Sequence, residues 1–94
     1  MNRFYLASSY TYKKHCAFLA KELEEKTGWI CTSSWLHASE EEISNRRIAK
    51  NDLRDIDSAS LLVFYHTSRA SAGRWVELGY ALGKEKKIIS SSEA

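Results

Sequence analysis

The sequence predicts an α/β fold: a small three-layer sandwich with a parallel four-stranded sheet in the order 2-1-3-4 and helices on both faces. Two observations lead there. Short apolar runs, Phe4-Tyr5-Leu6-Ala7 and Leu61-Leu62-Val63-Phe64-Tyr65 among them, alternate with stretches of helical spacing. That alternation, β-α-β-α-β-α-β, is what parallel strands joined by crossover helices require. The 94 residues contain no proline and only four glycines, so no linker divides them and a single domain over residues 1–94 is expected.

The first run, Phe4 to Ala7, is bounded by serines and predicts a buried strand. From Tyr12 onward, Tyr12, Cys16, Leu19, Ala20 and Leu23 fall on one helical face, and most of the lysines and glutamates fall outside it. Gly28, after Lys26, stands where that helix should stop. Trp29 to Ser33 is expected to form the second strand, and Ser34 to Ser39 a loop. Ser39 with Glu42 makes a capping box that opens a helix carrying Ile43, Ala49, Leu53 and Ile56. Leu61 to Tyr65 is the most β-like run. A third helix is expected from Ala72 to Leu82 with Gly83 as its stop, and a fourth strand at Lys87-Ile88-Ile89. The tail from Ser90 to Ala94 reads as a frayed end. The whole is a flavodoxin/Rossmann-like arrangement, in which ligands bind beyond the carboxyl ends of the strands where strand order reverses. Here that point lies between the first and third strands, beside Ala7 to Tyr12 and His66 to Glu77.

Composition narrows the function. A formal charge of +2, from 14 basic and 12 acidic residues spread evenly, is no footprint for a nucleic-acid polymer. No apolar run has the length of a membrane span. Two cysteines, Cys16 and Cys31, make neither a disulfide framework nor a zinc motif, so a reduced cytoplasmic protein without metal or cofactor is expected. The loop Ala7-Ser8-Ser9-Tyr10 has no glycine, which disfavours a dinucleotide oxidoreductase. No histidine joins a serine or cysteine in a triad: His15 is expected on the solvated side of the first helix, His37 in a loop, and His66 at the end of the third strand. Lys84, Lys86 and Lys87 read as a solvated helix end.

The segment Ser71-Ala72-Gly73-Arg74 opens the third helix, and free amides with the helix dipole favour an anion such as phosphate there. Arg69 and Arg74 add charge. Glu77 lies about one turn inside, where the dipole would hold its carboxylate ionised, as suits a nucleophile. The plainer reading makes Glu77 a dipole partner on a solvated face. Tyr5 reads equally as core packing, and Asp52 as a surface acid pairing with Lys50 or Arg54.

Three separated pieces of the chain resemble the nucleoside 2-deoxyribosyltransferase family, including its relatives that hydrolyse deoxynucleoside 5'-monophosphates. They are Phe4-Tyr5-Leu6-Ala7-Ser8, Asn51-Asp52-Leu53, and Ser71-Ala72-Gly73 running on to Glu77-Leu78-Gly79-Tyr80-Ala81. The resemblance implies an enzyme acting at an N-glycosidic bond through a retaining, two-step mechanism. Glu77 would attack the anomeric carbon, Tyr5 would orient it, and Asp52 would contact the substrate and help the base to leave. Ser71, with Gly73, Arg74, Ser8 and Ser9, would bind the substrate and its 5'-phosphate. Arg74 stands where members often have threonine. Family chains continue past residue 94, and their further segment helps complete a neighbouring subunit's site; the resemblance thus implies a homodimer and a C-terminally shortened chain. Two readings of another class stay open: a catalytically silent nucleotide-binding module, and a non-enzymatic assembly domain.

Overall fold

Four strands and three helices follow one another in the computed structural model, which describes residues 2–8, 12–37, 45–66 and 72–92. The order is β1 (Arg3–Ala7), α1 (Lys13–Thr27), β2 (Ile30–Cys31), a 3-10 turn (Ser34–His37), α2 (Asn45–Asp57), β3 (Leu61–His66), α3 (Ala72–Gly83) and β4 (Lys87–Ser92). All strand pairs are parallel and the sheet order is β2-β1-β3-β4, as expected from the sequence. Each crossover carries a helix. α1 lies over the sheet face that bears Phe4, Leu6, Leu61 and Val63, while α2 and α3 pack on the face that bears Tyr5 and Phe64.

β1 shows why its sequence is apolar throughout. Phe4, Tyr5, Leu6 and Ala7 are all buried, since a central parallel strand is covered on both sides. Tyr5, Phe64, Leu6, Ile56 and Leu62 are the largest fully buried side chains. Truncating one of them, Ile56→Ala for instance, would cost about 2–5 kcal/mol. The helix α1 ends where Gly28 takes φ 76 and returns its N–H to the Glu24 carbonyl, a left-handed stop open to glycine at little cost.

Several boundaries differ from those the sequence predicts. β2 pairs over two residues only, Arg3 with Ile30 and Phe4 with Cys31. Beyond them a side chain replaces the ladder: Ser33 Oγ accepts the Leu6 N–H at 2.7 Å and donates to the Leu6 carbonyl at 3.2 Å. Glu24 and Thr27 accept the Cys31 and Trp29 N–H groups, so the strand's outer edge is already occupied. Ser34–His37 is a 3-10 turn rather than a loop, anchored by the Trp35 indole N–H on the Leu6 carbonyl at 3.0 Å and by Ser34 on Asp55. Ser90 to Ser92 do not fray: they pair with Phe64, Tyr65 and His66, because the long partner β3 offers them a ladder. The capping box at Ser39–Glu42 lies outside the described residues. Of the basic cluster, Lys86 Nζ donates to the Asp57 carbonyl at 3.0 Å and Lys84 sits 5.6 Å above the Tyr80 ring, so this helix end is anchored rather than merely solvated. Among the described residues no helix is long and apolar enough to cross a membrane, and no group of histidine, cysteine and acidic side chains could hold a metal ion.

Candidate active site

Three elements far apart in sequence bring Tyr5, Asp52 and Glu77 together. Tyr5 projects from the middle of β1 on the face that α2 and α3 cover, and is completely buried. Asp52 lies on α2, one turn before the buried Ile56, so the packing of Ile56 holds it against the sheet. Glu77 lies on α3 between Arg74 and Ala81, both buried, on the same helical face. Neither carboxyl is on a solvated face; both are half-buried. Arg54, a partner envisaged for Asp52, instead donates from Nη2 to Asn51 Oδ1 at 3.1 Å.

Burial dominates the electrostatics. It pushes the Glu77 carboxyl up to about 9, with the neighbouring Asp52 carboxyl, close enough to hydrogen-bond, as the next cause; the Tyr5 hydroxyl pulls the other way. Burial likewise raises Asp52, while its contacts with Glu77 and Tyr5 hold the rise back. The Tyr5 phenol is raised well above its ordinary range by burial and by the two carboxyls. Asp55 adds negative charge to all three. The expectation that the helix dipole keeps Glu77 ionised is therefore overturned. A dipole contributes about 0.3–1 kcal/mol at a helix end, and the loss of water around a half-buried carboxyl beside a second one outweighs it.

The approach of the three groups is close but not closed. Tyr5 Oη and Asp52 Oδ1 are buried and make no hydrogen bond to any described residue. Such atoms are costly unless something polar meets them, and substrate-binding sites are where proteins keep them. Chemically the group can supply a carboxylate, a carboxylic acid beside it, and a phenol donor between.

The remaining sequence-predicted residues divide. Arg74 is buried, its guanidinium carbon 5.9 Å from the Phe64 ring centre and 5.6 Å from that of Trp75. It occupies the first turns of α3 on the face shared with Glu77. Gly73 lies in the first turn of α3. Ser8 is buried at the end of β1, and its hydroxyl donates to the Tyr65 carbonyl at 3.1 Å, so its proton is committed to the fold. Ser9, Ser71 and Arg69 lie outside the described residues. His15 is exposed, yet its Nε2 meets Tyr65 Oη at 3.1 Å, an interaction across 50 residues that no local pattern announces. His37 closes the 3-10 turn and is exposed.

Comparisons with known proteins bear on the family and the fold. A family model described as nucleoside 2-deoxyribosyltransferase matches residues 4–94. Among solved structures, the CMP N-glycosidase BcmB of Clostridium botulinum superposes with a TM-score of 0.72 and 28% sequence identity, covering 97% of this chain and 69% of that one. A 2-desoxiribosyltransferase from Leishmania mexicana superposes with a TM-score of 0.71 over 100% of this chain and 66% of its own, and at 12% identity the likeness is one of fold alone. The chain thus spans about two thirds of the length of these structures. A comparison with curated protein sequences finds no match.

Proposed function

Because the chain belongs to the nucleoside 2-deoxyribosyltransferase family, we propose that it breaks or transfers the N-glycosidic bond of a nucleoside 5'-monophosphate, with Glu77 as nucleophile. A Glu77 carboxylate oxygen bonds to the anomeric carbon as the bond from that carbon to the base nitrogen breaks. The electron pair leaves with the base, and the proton the base needs, which the raised Glu77 keeps in the free chain, passes to Asp52 before the attack and from Asp52 to the base. The resulting glycosyl ester is resolved by water, which returns a proton to Asp52 as it attacks, or by a second base. Tyr5 would steady the nucleophile, its phenol lying close enough to the Glu77 carboxyl to favour the ionised form. Both outcomes leave the anomeric configuration retained.

The observation that carries this reading is the convergence of Tyr5, Asp52 and Glu77 from β1, α2 and α3, with burial raising both carboxyls and the Asp52 contact raising Glu77 further while holding Asp52 back. One proton shared between two carboxyls supplies in one state both an acid for the leaving base and a charge for attack. The 5'-phosphate would be held at the start of α3 by Ser71, the amides around Gly73, and Arg74, with Ser9 and the Ser8 backbone contributing from the first βα connection, since the Ser8 hydroxyl is committed to the Tyr65 carbonyl. The same reading makes the active unit a cytoplasmic homodimer that takes small nucleotides and needs no cofactor.

Incubating the protein with ribo- and deoxyribonucleoside monophosphates, and separating the products by chromatography, tests the proposal. Release of free base by the wild type and not by Glu77→Gln supports it. Tight binding of a monophosphate without base release would replace it with a silent nucleotide-binding module, and no binding at all with an assembly domain.

A further inference from the structure

Tyr80 lies three residues after Glu77 on α3, and its single phenolic proton is shared between both Asp57 carboxylate oxygens, at 2.9 and 3.0 Å. Asp57 is the last residue of α2, the helix that carries Asp52. Around this contact the turn after α3 folds back on α2. Lys86 Nζ donates to the Asp57 carbonyl at 3.0 Å, the Lys84 and Lys86 N–H groups bond to the Tyr80 and Ala81 carbonyls, and Lys84 covers the Tyr80 ring. Glu85, at φ 59, makes the reversal.

We infer that Tyr80 is a positioning residue: by gripping Asp57 it sets the register of α3 against α2, and so the approach of Glu77 to Asp52. The inference rests on the proposed roles of those two carboxyls. An α-helix advances about 1.5 Å per residue and is stiff over one turn, so a slip at Tyr80 reaches Glu77 undiminished. The interaction between two charges varies inversely with their separation, and most steeply when they are close. Tyr80 touches neither the reacting carboxyls nor Tyr5 in the described contacts. The charged groups around the clamp are Asp57, Lys84 and Lys86.

The test is a carbon-NMR titration of Asp and Glu side-chain carboxyls in the full chain without substrate, on the wild type, Tyr80→Phe and Asp57→Asn, paired with steady-state kinetics on a monophosphate. The wild type should show Asp52 and Glu77 titrating as two separated, interacting steps. Tyr80→Phe should draw the steps together and lower kcat about tenfold with KM within about twofold. Asp57→Asn, which still offers the phenol an acceptor, should fall between Tyr80→Phe and wild type, and it carries the test if Tyr80→Phe does not fold. Coupled wild-type steps that both variants leave unchanged, with unchanged kcat, overturn this inference alone. A wild type in which neither carboxyl titrates above its ordinary range removes the carboxyl pair, and the positioning role with it.

Discussion

Asp52 and Glu77 sit on different helices and compete for one proton. Each is raised by burial, and Glu77 is raised further by its neighbour's carboxyl. Two like charges this near repel where so little water surrounds them, so Glu77 keeps its proton well above the ordinary carboxylate range. Tyr5, fully buried, has its phenol raised by burial and by both carboxyls, and its hydroxyl stands without a hydrogen-bond partner among the described residues. The arrangement is unfavourable for folding and useful for chemistry, which is the usual mark of a functional cluster.

Replacing Glu77 should therefore separate stability from activity. The folded-state value of about 9 lies above the ordinary 4.5, so the folded chain keeps a proton that the unfolded chain releases. Stability fully present below about pH 4.5 is lost as pH rises through about 9. Glu77→Gln mimics the protonated carboxyl permanently. Its melting temperature should exceed that of the wild type at about pH 8, the gap closing towards about pH 4, while base release falls about a thousandfold or more. A tenfold gain in proton affinity on folding corresponds to about 1.4 kcal/mol, of which Asp52 takes back a part by accepting the proton instead. A variant that melts lower than the wild type at every pH would assign Glu77 to the scaffold.

Activity should follow a bell in pH, because the productive state carries one proton on the pair. Base release should fail in acid, where both carboxyls are protonated, and again in alkali near about 9, where the last proton leaves. In Asp52→Asn the alkaline limb should disappear, since the raised Glu77 loses its partner's charge and the acid is gone. Turnover should drop about a hundredfold, and substrates with a better leaving base should recover part of the loss. An Asp52→Asn profile superimposable on that of the wild type would take Asp52 out of the reaction.

The sheet was legible because β1 and β3 are apolar on both faces and the helices between the strands are not; the order β2-β1-β3-β4 is the doubly wound arrangement expected of such an alternation, with helices on both faces. Local competition was not legible. Ser33 ends β2 by taking over the Leu6 backbone groups with its side chain, and Asp55 recruits Ser34 into a turn, both across more than twenty residues. Tyr5, Asp52 and Glu77 could be named from motif resemblance, yet their charge state could not. It depends on how much water three packed elements leave around them, and helix position alone predicted the wrong sign for Glu77. Tyr80 stood in the most distinctive stretch of the chain, but its partner Asp57 is 23 residues away and carries no signal of its own.

A 5'-phosphate should matter to binding. In the proposed site the amides at the start of α3, Ser71 and Arg74 would together hold an oxyanion, and charge-assisted hydrogen bonds contribute about 1.5–3 kcal/mol each. A monophosphate should bind at least about tenfold more tightly than its nucleoside, and Ser71→Asp should narrow the difference by repulsion. Calorimetry on both ligands measures it directly. Equal affinities in the wild type would remove the phosphate site.

The outward face of α3 should carry the dimer contact. Trp75, Val76 and Leu82 are 52%, 65% and 58% exposed, and helical spacing lines them up on one side, away from Glu77. Gly79 lies among them with open space where a Cβ would stand, so a second backbone can come close. A chain of this size buries a modest share of its surface alone, and covering such a stripe is a common source of further stability. Sedimentation at micromolar concentration should give twice the 10.8 kDa chain mass. Val76→Asp, which buries a charge only if the stripe is covered, should shift the protein towards monomer and lower its melting temperature. If Val76→Asp sediments and melts as the wild type does, α3 faces solvent; if the wild type is itself a monomer that releases base, the site is complete within one chain.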